Sequence, residues 1–327
     1  MYNLMNNFLD YKIAVANYIN DIDFNKKPKE LYEPIGYIAN LGGKRLRPLL
    51  TLFAAEVFGA PTNKAIHAAV AIELFHNFSL IHDDIMDEAP LRRGEKTVHE
   101  KWNLNTGILS GDAMLILAYQ YFENYEPIIF KDLAKLFSKT ALEVCEGQQL
   151  DINFETRNDV TIPEYVKMIE YKTAVLVGAA LEMGAIVAKT TDDNKRGIYN
   201  FGRDLGIAFQ LQDDYLDAFG ETASFGKQIG GDILENKKTY LYLKALENAS
   251  SEDKISLQNW FSSKTGGQEK IDAVKVLFEK TKATIDTQLL IEEYTEKGLK
   301  QLDDLDISNH YKEELKEFAV SLMSRTV

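Results

Sequence analysis

The pentapeptide Asp-Asp-x-x-Asp occurs twice, as Asp83-Asp84-Ile85-Met86-Asp87 and as Asp213-Asp214-Tyr215-Leu216-Asp217. On a helix, residues one turn apart share a face, so Asp83 and Asp87 point the same way, as do Asp213 and Asp217. Carboxylates stacked in this manner repel one another unless a cation lies between them. An oxygen-only donor set without cysteine suits a hard divalent ion, Mg²⁺ above all. Mg²⁺ takes few ligands from protein and shares its shell with phosphate oxygens, so the two motifs point to a diphosphate substrate. Such a substrate also needs cations. Gly42-Gly43-Lys44-Arg45-Leu46-Arg47-Pro48 leads into a helical run, where glycine backbone and a helix N-terminus both favour an anion. Leu91-Arg92-Arg93-Gly94 follows the first aspartate motif. Phe225-Gly226-Lys227-Gln228-Ile229-Gly230-Gly231-Asp232 and Asn236-Lys237-Lys238 follow the second.

The elements that must carry these groups are helices. Apolar residues recur with a 3.6-residue period over 49–58, 65–86, 106–122, 132–150, 162–187, 197–218 and 240–248. Pro61, Pro90, Pro127 and Pro163 sit at breaks, and no run of alternating β-branched residues reads as a sheet. Residues 174–188 are apolar around most of the helix circumference, which places them at the centre of a large bundle. Residues 250–327 are more charged and read as peripheral amphipathic helices. The expected fold is all-α, a single large helical bundle around a central cavity, with the two aspartate helices facing across it. No linker divides the chain, so residues 1–327 read as one domain.

Bulk composition narrows the function class. Of 327 residues, 45% are hydrophobic and 27% charged, enough for a sizeable core and an ordinary soluble surface. A net charge of −13 argues against a general nucleic-acid binder. The single cysteine, Cys145, excludes an intramolecular disulfide, fits a reducing cytosol, and is expected as a small core residue. The first residues show no secretory signal. The apolar stretch 107–121 is interrupted by Asp112 and falls short of the ~20 residues of a membrane span. A cytoplasmic protein with no stable membrane insertion is expected.

Over residues 42–238 the chain resembles the trans-type isoprenyl diphosphate synthases of the polyprenyl synthetase family, which have the isoprenoid synthase type I fold. The resemblance implies a Mg²⁺-dependent prenyltransferase with several ions per active site. Asp83, Asp87 and Asp213 match the family's principal metal ligands, and Asp84, Asp214 and Asp217 complete the motifs. Lys44, Arg47, His76 and Arg93 match its isopentenyl diphosphate site. Arg92, Lys172, Lys227 and Lys237 match the allylic diphosphate clamp, and Thr173 and Gln210 the polar groups that face the reacting allylic carbon. Glu146-Gly147-Gln148 and Asp151 match an element lining the cavity. Helix geometry adds that His76, two turns before Asp83, lies on the aspartate face.

The implied reaction is ionisation, condensation and elimination. The allylic C–O bond breaks, the isopentenyl double bond attacks the resulting cation, and released diphosphate takes the last proton. Water must be excluded, by closure of 92–97 and 225–232. In the family, a large aromatic five residues before the first motif limits product length. Phe78 holds that place, Phe75 lies about one turn earlier, and Ser79 leaves some room, so C15–C20 products are expected. A homodimer is expected from the family as well. A class I terpene cyclase shares the metal chemistry, yet the second Asp-x-x-x-Asp and the Lys44–Arg47 site favour elongation. A regulatory subunit of a heteromeric synthase would have lost an aspartate motif. A di-iron carboxylate bundle needs two Glu-x-x-His elements, and only Glu73–His76 fits.

Overall fold

Helices carry nearly all of the regular structure, as the apolar periodicity predicts. The computed structural model describes residues 2–220, 229–263 and 266–323, with side chains from residue 8. Two compact units are present: Met1–Ser138 with Ala179–Ile198, and Lys139–Gly178 with Tyr199–Val327.

The first unit contains α1 (Tyr2–Asn20), α2 (Lys29–Asn40), α3 (Leu46–Val57), α4 (Thr62–Met86), α5 (Val98–Lys101) and α6 (Leu104–Phe122). Helix α4 is its axis. It starts after Pro61, whose extended backbone sets the turn, and buries Ala65, Ala68, Ala69, Ile72, Leu74 and Phe75 between α3 and α6. The last part of α9 (Val175–Val187) lies directly on α3. A Cβ on Gly184 would stand 2.3 Å from the Thr51 carbonyl oxygen, so the two backbones touch there. Thr51 Oγ1 seals the contact by donating to the Ala180 carbonyl at 2.8 Å.

Between α4 and α5 lies a hairpin, β1 (Leu91–Arg92) against β2 (Glu95–Lys96), that the sequence pattern does not announce. Two-residue strands carry no period. The signal is in the turn: Arg93 and Gly94 both take positive φ, 54° and 82°, as a type I′ turn requires. Tyr37 donates to the Lys96 carbonyl at 2.8 Å and Thr97 to that of Ala89 at 2.8 Å, fixing the hairpin to the helices.

The second unit takes α7 (Pro127–Thr156) from Lys139 onward, α8 (Ile162–Ile169), a π-helical turn (Glu170–Ala174), and α10 (Asp192–Phe219) from Tyr199. Then follow α11 (Gly231–Leu234), α12 (Tyr240–Asn248), α13 (Ser251–Phe261), α14 (Gly267–Lys280), α15 (Ala283–Gln301) and α16 (Asn309–Met323). A reciprocal capping box between Thr161 and Glu164 starts α8, with Pro163 in its first turn. The periodic stretch 162–187 is therefore not one regular helix: an extra residue is accommodated at 170–174, the turn that bears Lys172 and Thr173. The core of this unit includes Tyr165, Ile207, Leu211, Leu241, Val274 and Phe278.

Cys145 is exposed on α7, which corrects its expected place in the core. Its helical stripe continues to Leu142, also exposed, while Val144 and Gly147 face inward. Among the described residues, no helix is long and apolar enough to cross a membrane.

Candidate active site

Both aspartate motifs lie at helix C-termini. Asp83 and Asp84 are in the last turn of α4 with Asp87 as its C-cap, and Asp213–Asp217 lies in the last two turns of α10, which runs to Phe219. The negative end of each macrodipole adds to the repulsion among the carboxylates, so each cluster is a place where a cation is strongly favoured.

In the first unit the cationic groups converge on one buried anion. Glu73, on α4, is 3% exposed, and burial raises its pKa while Arg45, Arg47, Asn77 and Arg93 lower it. Asn77 donates to the Glu73 carboxylate at 3.3 Å. Arg45 caps α3 in the left-handed conformation at φ 49°, which turns its side chain back to the Ala39 carbonyl, 3.1 Å away. Arg47 follows in the first turn of α3. Burial pulls its pKa down to about 10, against Glu73, so it remains a cation at neutral pH. Arg45 Nη1 and Arg47 Nε are buried donors that no acceptor meets among the described residues. Spare N–H groups of this kind fit the oxygens of a diphosphate.

His76 lies 3.2 Å from Arg47 Nη1 through its Nε2. Guanidinium only donates, so Nε2 accepts and the ring proton sits on Nδ1. Burial first, then Arg47, Arg93 and Arg92, hold its pKa well below 6.5. An unfolded chain takes up a proton below about 6.5 that the folded chain refuses, so stability falls as pH drops through that range. The contribution is at most about 1.4 kcal/mol per pH unit. Melting curves at pH 5 and pH 7 should therefore lie closer together for His76→Gln than for the wild type; equal separations would remove His76 as the cause.

Arg93 donates to the Gly42 carbonyl, and its guanidinium fills the space beside Gly43, where a Cβ would stand 2.7 Å away. The glycine pair thus admits an arginine to the backbone. Lys44 is exposed beside it. Arg92 is gripped by the buried Asp84: Nε lies 2.8 Å from each carboxylate oxygen and Nη2 2.6 Å from Oδ1. The sequence assigns Asp84 to metal; its oxygens are engaged by Arg92. Phe75 is 1% exposed and packs on Phe78 (5.5 Å between centroids) and Phe137 (5.1 Å). Ser79 is half-buried, its hydroxyl donating back along its own helix to the His76 carbonyl at 2.9 Å.

In the second unit a cavity of about 280 Å³ is lined by Asp151, Tyr165, Lys172, Thr173, Gln210, Asp213, Asp214, Asp217, Asp232, Lys237 and Lys238, among others. The π turn brings Lys172 to Asp151, 2.5 Å away. Thr173 donates to Gln210 Oε1 at 3.0 Å, and Gln210 Nε2 donates to Asp214 Oδ1 at 2.8 Å. Tyr165 donates to Asp214 Oδ2. Burial, then Asp232, raises the Asp214 pKa well above its usual range, against the hydrogen bonds from Tyr165 and Gln210. Burial and Asp214 likewise raise Tyr165, which stays a donor. As with Asp84, the Asp214 carboxylate is held by protein. Asp217 accepts from the Asp232 backbone N–H at 3.0 Å, tying α11 to the end of α10. Burial would lower Lys237, yet Asp232 and Glu235, 3.4 and 3.0 Å away, outweigh it and raise its pKa. Lys227 and the part of the predicted loop at 225–228 lie outside the described residues.

Sequence reasoning assigned no role to Glu73 as a counter-ion, to Tyr165 or to Phe137. Each acts at a distance along the chain, and no local motif marks it. For Tyr165 the only hint is its place two turns before Lys172.

The Polyprenyl synthetase family model matches residues 28–278. The chain is 39% identical to the geranylgeranyl diphosphate synthase of Methanosarcina mazei over 281 residues, 85% of each chain. It is 36% identical to the geranylgeranyl pyrophosphate synthase of Geoglobus acetivorans over 307 residues, 92% of this chain and 94% of the relative. A crystal structure of a geranylgeranyl pyrophosphate synthase superposes with a TM-score of 0.91 at 51% identity, covering 99% of this chain and 98% of the other. That of the Pyrococcus horikoshii Ot3 geranylgeranyl pyrophosphate synthetase superposes with 0.90 at 32% identity, covering 98% and 99%. The all-α fold expected from the sequence is thus the prenyl synthase fold. Matched by sequence along most of its length, the chain belongs to the polyprenyl synthetase family and is a prenyltransferase.

Proposed function

We propose that the chain condenses isopentenyl diphosphate with an allylic diphosphate (dimethylallyl, geranyl or farnesyl) to give an all-trans C15–C20 prenyl diphosphate and diphosphate. The observation that carries the reading is the second-unit cavity, where Lys172 and Lys237 stand with Asp213 and Asp217 around the oxygens of Thr173 and Gln210. The outer carboxylates, Asp83 and Asp87 in one unit and Asp213 and Asp217 in the other, have the oxygen chemistry Mg²⁺ prefers. Bound Mg²⁺ supplies Lewis acidity toward the leaving diphosphate. Arg92, Lys172, Lys227 and Lys237 bind the allylic diphosphate; Lys44, Arg47, His76 and Arg93 bind isopentenyl diphosphate. Thr173 and Gln210 present oxygen dipoles that stabilise positive charge without forming a covalent bond. Asp84 serves by holding Arg92 in place. The final proton passes from the condensed carbon skeleton to the released diphosphate, so no protein base is assigned. Both units are read as one functional domain, since the family match runs through both.

The test is incubation of the purified chain with Mg²⁺, isopentenyl diphosphate and each allylic primer, with products identified by mass spectrometry. A linear C15 or C20 diphosphate supports the reading. A cyclic hydrocarbon would replace it with a terpene cyclase, against which the intact second aspartate motif weighs. No turnover by the chain alone would indicate the regulatory subunit of a heteromeric synthase.

Product length is governed in this reading by Phe78 and Phe75. Phe137 backs Phe75, and Tyr119 and Phe122 in turn back Phe137, with centroids at 4.7 and 5.2 Å. Phe78→Ala removes only the outermost ring, so the principal product should lengthen by one isoprene unit. Phe75→Ala/Phe78→Ala should lengthen it further, and an unchanged product spectrum in both would clear the pair of this role.

A homodimer is proposed from the exposed apolar row of α6, where Leu104, Ile108, Leu109 and Ile116 are 53%, 40%, 59% and 58% exposed. A row of that kind marks a protein contact. Light scattering should give twice the mass of 37.1 kDa, and Ile116→Asp should halve it. A cytoplasmic location is consistent with the lone, exposed cysteine.

A further inference from the structure

Gln210 is a primary amide, and its two ends differ little in size but are opposite in charge. Only the carbonyl end can stabilise an electron-poor carbon, so which end faces Thr173 matters to the reaction proposed above. The choice is made by Asp214. Its Oδ1 accepts from Gln210 Nε2 at 2.8 Å, which leaves Oε1 toward Thr173, whose hydroxyl donates at 3.0 Å. One lone pair of Oε1 serves Thr173 and the second remains for the cavity.

Asp214 in turn needs its own anchor, because a carboxylate swings about its terminal torsion. Tyr165 supplies it by donating to Oδ2, leaving Oδ1 for the amide. Tyr165 is well placed to hold a fixed position. It is 1% exposed, and its ring belongs to the core cluster with Met168 and Ile169 of the same helix and Leu211 of α10. Three helical elements thus contribute one chain of donors and acceptors: Tyr165 hydroxyl, Asp214 carboxylate, Gln210 amide, Thr173 hydroxyl.

We propose that Tyr165 is a positioning residue for the condensation, acting through Asp214 to hold the Gln210 carbonyl toward the reacting allylic carbon. The inference rests on the allylic-cation reading. It predicts that Tyr165 affects the charged transition state and leaves ground-state binding of the allylic diphosphate nearly unchanged.

Two unreactive ligands separate these effects: an allylic thiodiphosphate, and an analogue with the same diphosphate and an ammonium nitrogen at the cationic carbon. Their dissociation constants are measured with Mg²⁺ present for the wild type, Tyr165→Phe, Gln210→Met and the double variant, after circular dichroism confirms folding. The wild type should bind the ammonium analogue more tightly, as transition-state mimics do. Tyr165→Phe should lose about tenfold of that preference, the worth of roughly one oriented hydrogen bond, with the thiodiphosphate affinity kept within about twofold. The double variant should be no worse than Gln210→Met, since Tyr165 acts only through the amide.

A Tyr165→Phe protein that keeps the full preference overturns the inference, as does an additive loss in the double variant. A wild type with no preference overturns the cation reading itself, and the inference with it. Should Tyr165→Phe not fold, Asp214→Asn takes its place: an amide can donate or accept, so Gln210 loses its lock. Both ligands carry the same diphosphate, so their affinity ratio cancels whatever Asp214 contributes to holding it. A wild-type ratio in Asp214→Asn would sink the proposal equally.

Discussion

Asp213→Ala should lower kcat by about 10³-fold, the loss expected when a principal electrostatic stabiliser of the leaving group is removed. Asp213 lies near the C-terminal end of α10, with Asp214, Asp217 and Asp232 in one cavity wall. Its charge helps to push the Asp214 pKa upward, after burial and Asp232. Removing it relieves that repulsion. The expected signature is an enzyme that stays folded and hardly turns over. Asp217→Ala should differ, because Asp217 also accepts from the Asp232 backbone at 3.0 Å and ties α11 in place. That variant should lose activity and thermal stability together. Steady-state kinetics across a Mg²⁺ titration, with melting curves on the same samples, decide the matter. Near-wild-type kcat for Asp213→Ala at saturating Mg²⁺ would remove it from the metal site.

The helices that bear both aspartate motifs were legible because each has a long apolar face that fixes period and phase. Residues 65–86 and 197–218 read as helix from sequence, and the structure extends them to Thr62–Met86 and Asp192–Phe219. The loop cations were legible only as types. That Arg93 occupies the space beside Gly43, or that Asp84 holds Arg92, depends on a hairpin of two-residue strands whose only trace is the Arg93-Gly94 turn. The π turn at Glu170–Ala174 was invisible for a related reason. Inserting one residue shifts the helical phase by about 100°, and a helix apolar on nearly every side shows no phase to shift. Cys145 failed from the opposite cause: composition predicts burial for cysteine in general, and only the orientation of α7 decides it here.

That π turn gives the second large effect. Gly147→Ala should cost about 10²-fold in kcat/KM at temperatures where the protein remains folded. A Cβ at 147 would lie 2.3 Å from the Lys172 amide nitrogen and 2.7 Å from its Cα, and backbone atoms cannot swing aside as a side-chain tip can. On the other side, Gly206 meets Ala174 in the same way, with a Cβ 2.7 Å from its Cα. The turn is held between two glycine faces, so the strain must move it bodily. Lys172 and Thr173 move with it, and a misplacement of about 1 Å is enough for a hundredfold loss. Gly184→Ala is the matched control. Its Cβ would collide as closely, 2.3 Å from the Thr51 carbonyl oxygen, but in the first unit and against α3. Both variants replace a helical glycine by the best helix former, a gain of about 1 kcal/mol, set against overpacking of about 1–3 kcal/mol or more. Both should melt earlier than the wild type. Only Gly147→Ala should lose activity per folded molecule, measured by kinetics well below both melting midpoints. Equal losses in the two variants would mean that activity follows global packing; a loss confined to Gly147→Ala would tie it to the placement of Lys172 and Thr173.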